Sequence, residues 1–113
     1  MCVKSEQAVD LYKKACLSEQ EGKISLAEVY YLKSRSLFEQ AGGEHYLNAA
    51  NALNALSFLR WSRKDYQGAL RSARESIRIM ETYGSGCSNA DADLIRDTAR
   101  ELIDQIQYEM SLA

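Results

Sequence analysis

The chain has 113 residues, 46% apolar and 27% charged, with a formal net charge of −2 from 14 basic and 16 acidic residues. That is one domain's worth of protein, with no global attraction to nucleic acid or anionic lipid and no apolar run near the ~18–20 residues that cross a bilayer. It contains no proline, against an average usage of about 5%, so helices are expected and other residues must end them. The N-terminus, Met1-Cys2-Val3-Lys4-Ser5-Glu6, lacks the apolar run of a signal peptide, which predicts a cytoplasmic setting. Cys2, Cys16 and Cys87 are odd in number and form no CxxC spacing, so neither a disulfide framework nor a metal site is expected.

Glycine supplies the punctuation, at Gly22, Gly42-Gly43 and Gly84-Ser85-Gly86, with a lone Gly68. The first predicted helix covers about 5–20, with Val9, Tyr12, Ala15 and Cys16 at spacings of three and four. Ser5 stands as its N-cap and Gly22 as its stop. The second, about 24–41, has a broad apolar face of Leu26, Ala27, Tyr30, Tyr31, Leu37 and Phe38. The third, about 44–62, is apolar round most of its girth, which places it between neighbours on both sides. Asp65 caps a fourth helix over about 66–83, and Ser88 or Asn89 a fifth over about 90–110. No segment alternates with period two, so no strands are expected.

The chain also repeats itself. A shift of 42 positions aligns Ala8, Ala50 and Ala92, then Leu11, Leu53 and Ile95, then Ala15, Ser57 and Ala99. The same shift pairs Ala27 with Ala69, Ser34 with Ser76, Leu37 with Ile79 and Gly42 with Gly84. Small residues recurring where helices must touch are the mark of stacked helix pairs, none of which can bury its own face alone.

The stretch from Leu11 and Ala15 through Gly22, Ile24, Ala27 and Tyr31 resembles the tetratricopeptide repeat, and Leu53, Ala55, Leu56, Ser57, Tyr66, Ala69 and Ala73 repeat the likeness. The 42-residue period is similar to the long repeats of kinesin light chains, as is Glu39-Gln40 followed by Gly42, His45, Ala49, Leu53, Asn54 and Leu56. Lys64 replaces the turn glycine of the second copy, and the family's proline after each second helix is missing. The resemblance implies an all-α, right-handed α-solenoid of five helices in antiparallel pairs, one domain over 1–113. Repeat 1 would span about 5–42, repeat 2 about 44–84, and a C-terminal capping helix about 88–110.

The family's inner, concave wall is built from the first helix of each pair. Carried onto this chain, the resemblance nominates Val9, Tyr12, Cys16 and Glu19, then Asn51, Asn54, Phe58 and Trp61, then Arg96 and Arg100. Asparagines satisfy the backbone groups of a bound peptide, aromatic residues anchor it, and paired arginines engage a carboxylate. The expected function is therefore protein binding by a non-enzymatic adaptor, without cofactor or metal, that takes a peptide or helix of another protein. Trp61→Ala and Asn54→Ala are expected to weaken binding without lowering the melting temperature.

Other readings remain open at this stage. The aromatic wall could instead pair two copies of the chain, or the chain could be part of a longer repeat array whose next helix follows residue 113. Arg71, Arg74 and Arg78 align along one side of the fourth helix and offer RNA a basic stripe, although that side is also the expected solvated face. His45 sits in a turn with no nucleophile beside it in sequence, and no Walker, GxGxxG, HExxH or GxSxG string occurs, so nothing nominates a reaction.

Overall fold

The computed structural model describes residues 3–83 and 90–112, apart from the side chain of Glu44. Among these, the regular elements are α1 (Val3–Gln20), α2 (Ile24–Ala41), a single 3-10 turn (Gly43–His45), α3 (Tyr46–Ser62), α4 (Tyr66–Tyr83) and α5 (Ala90–Leu112). Helix α1 pairs with α2 and α3 with α4, while α3 also packs on α2 and α5 lies against both α3 and α4. This is an all-α solenoid of tetratricopeptide-like helix pairs, without strands among the described residues. The proposed break at Gly84-Ser85-Gly86 and caps at Ser88 or Asn89 lie outside the described residues.

The 42-residue period is written into the hydrogen bonds. Ser34 Oγ donates to the Ala8 carbonyl at 2.7 Å, and Ser76 Oγ donates to the Ala50 carbonyl at 3.1 Å. Each bond ties the second helix of a pair to the first, and both serines are fully buried. Around them stand alanines with no exposed surface, Ala8, Ala15 and Ala27 in one pair and Ala50, Ala69 and Ala73 in the next. With no side chain beyond Cβ, these positions let the backbones approach until a serine hydroxyl can reach across. In the second pair Ser57 Oγ also donates to the Ala69 carbonyl, at 2.8 Å.

The intra-pair turns repeat as well. After α1, the Lys23 amide bonds back to the Ser18 carbonyl and the Gly22 amide to the Glu19 carbonyl, with Gly22 at φ 78°. After α3, the Asp65 amide bonds to the Arg60 carbonyl and the Lys64 amide to the Trp61 carbonyl, with Lys64 at φ 65°. Both are Schellman closures, which need a left-handed residue just past the helix. Lys64 is thus forced into a conformation that glycine adopts freely. Asp65 then caps α4 as expected, its Oδ1 accepting from the Gly68 amide at 3.1 Å. A Cβ at residue 68 would stand 2.3 Å from Asp65 Oδ2, so the lone glycine protects this cap.

Two expectations at helix starts are corrected. Ser5 is not an N-cap, because α1 begins at Val3 and Ser5 lies inside it, buried. The third helix begins at Tyr46 rather than 44, since Gly42 and Gly43 both take positive φ and the chain passes through the 3-10 turn before the α-helix starts.

Side chains join the pairs. Arg60 Nε donates to Glu28 Oε1 of α2 at 2.7 Å, and its Nη1 donates to Ser72 Oγ of α4 at 2.9 Å. Arg35 of α2 donates to Glu75 of α4 at 3.1 Å, and Glu75 also accepts from Arg78. Those two guanidinium groups hold the Glu75 carboxyl below its ordinary range, the hydrogen bond from Arg78 contributing most.

Helix α5 departs from the period. In α3, Ala50 and Ser57 meet α4, while Ala52 and Leu59, across the helix, are buried as well, and α3 packs on α2. One period later, Ala92 and Ala99 have no exposed surface, yet Leu94 is 66% exposed and Glu101 is exposed too. So α5 turns toward α3 and α4 the face that α3 uses for its own partner helix. Its sequence explains why. Thr98 and Glu101 stand where α3 has Leu56 and Leu59, and burying a carboxylate there without a partner would be costly. The unpaired half repeat expected from the sequence is therefore a helix whose pairing face is already closed.

Ser34→Ala and Ser76→Ala should each destabilise by about 1 kcal/mol, a fall in melting temperature of roughly 4–8 °C for a domain of this size. The two effects should add, being in separate pairs. Lys64→Gly should instead raise stability by about 0.5–1 kcal/mol by relieving its left-handed backbone. Thermal and chemical denaturation of the three variants measures all of this.

Candidate functional site

Two grooves run along the side of the solenoid where α1, α3 and α5 are open to solvent, and Phe58 and Trp61 line both. One, of about 360 Å³, is lined by Tyr12, Asn51, Asn54 and Ala55 together with Thr98, Glu101 and Gln105 of α5. The other, of about 630 Å³, continues past Ser62 and Lys64 to Tyr66, Glu109 and Leu112. Phe58 is 53% exposed and meets Trp61 edge-on, ring centroids 5.6 Å apart. An exposed phenylalanine held upright by a half-buried tryptophan is a ready apolar anchor point.

The asparagines behave differently from each other. Asn51 is exposed, and its Nδ2 donates to the Tyr12 hydroxyl at 3.4 Å. Asn54 is only 5% exposed, and its Nδ2 donates to the Ile95 carbonyl of α5 at 3.0 Å. A carbonyl can only accept, so this bond fixes which way the amide points. Asn54 Oδ1 then faces away, buried and without a hydrogen-bond partner among the described residues. Trp61 is tied to α5 too, its Nε1 donating to Glu109 Oε2 at 2.6 Å. Replacing Asn54 or Trp61 would therefore disturb the seating of α5 as well as the groove, against the expectation that both could be removed without structural cost.

Tyr12 and Cys16 belong to a polar cluster at the α1 edge. Tyr31, 2% exposed, donates its hydroxyl to Glu19 Oε1 at 2.8 Å. Since that proton is committed, the Cys16 thiol, 3.5 Å away, is the donor to the Tyr31 oxygen. Tyr12 meets the Tyr31 ring edge-on at 5.4 Å. Burial pushes the Tyr31 phenol far above its ordinary value, and the bonds to Cys16 and Glu19 push it further. Burial, reinforced by the neighbouring Cys16, also raises Tyr12.

Arg96 and Arg100 do not join the groove. One period after Asn54 and Phe58, they would face it if α5 kept the register of α3, but the turned α5 presents Thr98, Glu101 and Gln105 instead. Arg96 pairs with Asp93 at 3.3 Å and Arg100 with Asp97 at 3.9 Å, both within α5. Glu101 and Gln105 reach the groove because α5 is turned out of the repeat register, and Leu112 lies past the expected helix end at about 110. The polar residues standing where Leu56 and Leu59 recur were the available signal.

Among the described residues no group of three or more His, Cys, Asp or Glu is arranged to hold a metal ion. No described helix is long and apolar enough to cross a membrane. The family model described as Tetratricopeptide repeat matches residues 16–82, more than half of the chain. No curated protein and no solved structure matches at a significant level.

A tyrosine whose folded-state titration lies above its unfolded value of about 10 stabilises the fold fully below that pH. The contribution is lost as pH rises beyond it, where the unfolded phenol ionises first. Chemical denaturation at pH of about 9 and about 11 should show wild type losing more stability across that interval than Tyr31→Phe. An equal loss in the two proteins would remove the buried phenol from the account.

Proposed function

Because the chain belongs to the tetratricopeptide repeat family, whose repeats serve protein–protein interaction and scaffolding, we propose that it is a non-enzymatic adaptor that holds a peptide or helix of a partner protein in the groove between α1, α3 and α5. The observation that carries this reading is Phe58, 53% exposed at the junction of the two grooves. A large aromatic ring left in water at the centre of a concave apolar surface is the usual seat of binding energy. Around it lie the polar partners that an incoming backbone needs: Asn51, Gln105 and Thr98, with Glu101 as the fixed charge. The groove is therefore suited to a segment with an apolar anchor and a neighbouring cationic side chain, rather than to the carboxylate expected from Arg96 and Arg100. A cytoplasmic setting is part of the same proposal.

Peptides selected by display on the wild-type protein provide the test. Phe58→Asp should weaken the selected peptides by about tenfold or more, and Asn51→Ala by a smaller factor. Both residues are exposed, so both variants should keep the wild-type melting temperature. Peptides that bind Phe58→Asp as tightly as wild type would overturn the groove assignment.

A further inference from the structure

The solvent sides of α4 and α5 carry opposite charge at matched spacing. On α4, Arg71, Arg74 and Arg78 recur at three and four residues, all exposed, and Arg71 and Arg74 have no ion-pair partner among the described residues. On α5, Asp97, Glu101 and Asp104 recur at four and three, again all exposed. Glu101 and Asp104 are likewise unpaired among the described residues, and Asp97 has only its 3.9 Å contact with Arg100. Read antiparallel, the spacings coincide: Arg71 falls opposite Asp104, Arg74 opposite Glu101 and Arg78 opposite Asp97. Leu94 and Tyr108, 66% and 65% exposed, flank the acidic stripe at the next positions of the same three-and-four pattern. Within one chain the stripes cannot meet, because α5 docks on α4 through Leu102 and Ile106, which lie on its other side.

We propose that the acidic stripe of α5 docks antiparallel on the arginine stripe of α4 in a second copy of the chain. Arg71 and Arg74 can each meet a carboxylate in charge-assisted fork geometry. Arg78, whose Nε and Nη2 already hold Glu75, adds its charge opposite Asp97, and the arginine stems offer apolar surface to Leu94 and Tyr108. Like charges one turn apart on each helix repel when alone, and pairing with the second copy relieves both stripes together. The contact uses neither Phe58 nor Asn51, and of the groove residues it takes only Glu101, so a change at Phe58 separates the two sites.

Sedimentation velocity over a range of concentrations, at about 50 mM and about 500 mM salt, tests this, since the screening length falls below ~5 Å at the higher value. Wild type should associate at low salt and weaken by about tenfold or more at high salt. Arg71→Glu/Arg74→Glu and Glu101→Arg/Asp104→Arg should each be monomeric alone and should associate when mixed, with unchanged circular dichroism. Phe58→Asp should associate like wild type. A wild type that stays monomeric at low salt overturns the proposal, as does association that neither double variant reduces or a mixture that fails to restore it. Salt-sensitive binding of a generic RNA to Arg71 and Arg74 by a monomeric chain would overturn it in favour of nucleic acid.

Discussion

Two helices can cross closely enough for a serine hydroxyl on one to reach a backbone carbonyl on the other only if nothing larger than alanine stands at the crossing. That constraint is met at Ser34 over Ala8 and again at Ser76 over Ala50. The rest of the molecule follows from it. Once each pair is drawn together at its alanines, the larger residues Tyr31, Phe38, Leu56, Leu59, Ile79 and Met80 are displaced to the spaces between helices, where they form one continuous core. The Schellman closures set the angle at which each pair turns, and Lys64 accepts an unfavourable backbone because the closure geometry demands a left-handed residue there.

The same constraint decides how α5 sits. Ala92 and Ala99 keep the small-residue pattern of a pairing face, so that face can approach α3 and α4 closely. The opposite face, with Thr98 and Glu101, cannot replace the leucines that α3 uses against the preceding pair. Close approach wins over repeat register, and α5 turns. The turn keeps Arg96 and Arg100 out of the groove, brings Glu101 and Gln105 to it, and leaves Leu94 in water. One substitution pattern on one helix thus sets both the polarity of the groove and the acidic character of the outer surface.

Much of this was legible in the chain alone. The helix count, the glycine-marked turns after α1 and α2, the Asp65 cap and the central placement of α3 follow from local rules of periodicity and capping. They hold because two copies of one unit reinforce each other. Ser5 was misread because a serine near a helix start looks the same whether it caps the first turn or is buried in it. Tyr12, Asn51, Phe58 and Trp61 line one groove together because they lie on helices that obey the period. Arg96 and Arg100 of α5 do not, since rotation about a helix axis is set by packing over the whole face and no single position announces it. Asn54 and Trp61 were read as free ligand contacts, and their bonds to Ile95 and Glu109 could be known only once α5 was in place.

Those two bonds also bear on how the groove responds to a ligand. Asn54 reaches the backbone of α5 near its start and Trp61 reaches a side chain near its end, so the wall formed by α3 is fastened to α5 at both ends of the groove. Anything that seats against Phe58 touches residues whose neighbours are these fasteners. Occupancy of the groove and the docking of α5 therefore share contacts, and linkage requires that a ligand preferring the docked arrangement stabilise it in proportion to its differential affinity. The acidic stripe travels with the same helix. A ligand that steadies α5 also fixes Asp97, Glu101 and Asp104 in the spacing that matches Arg71, Arg74 and Arg78, and so lowers the ordering cost of any contact made through that outer face.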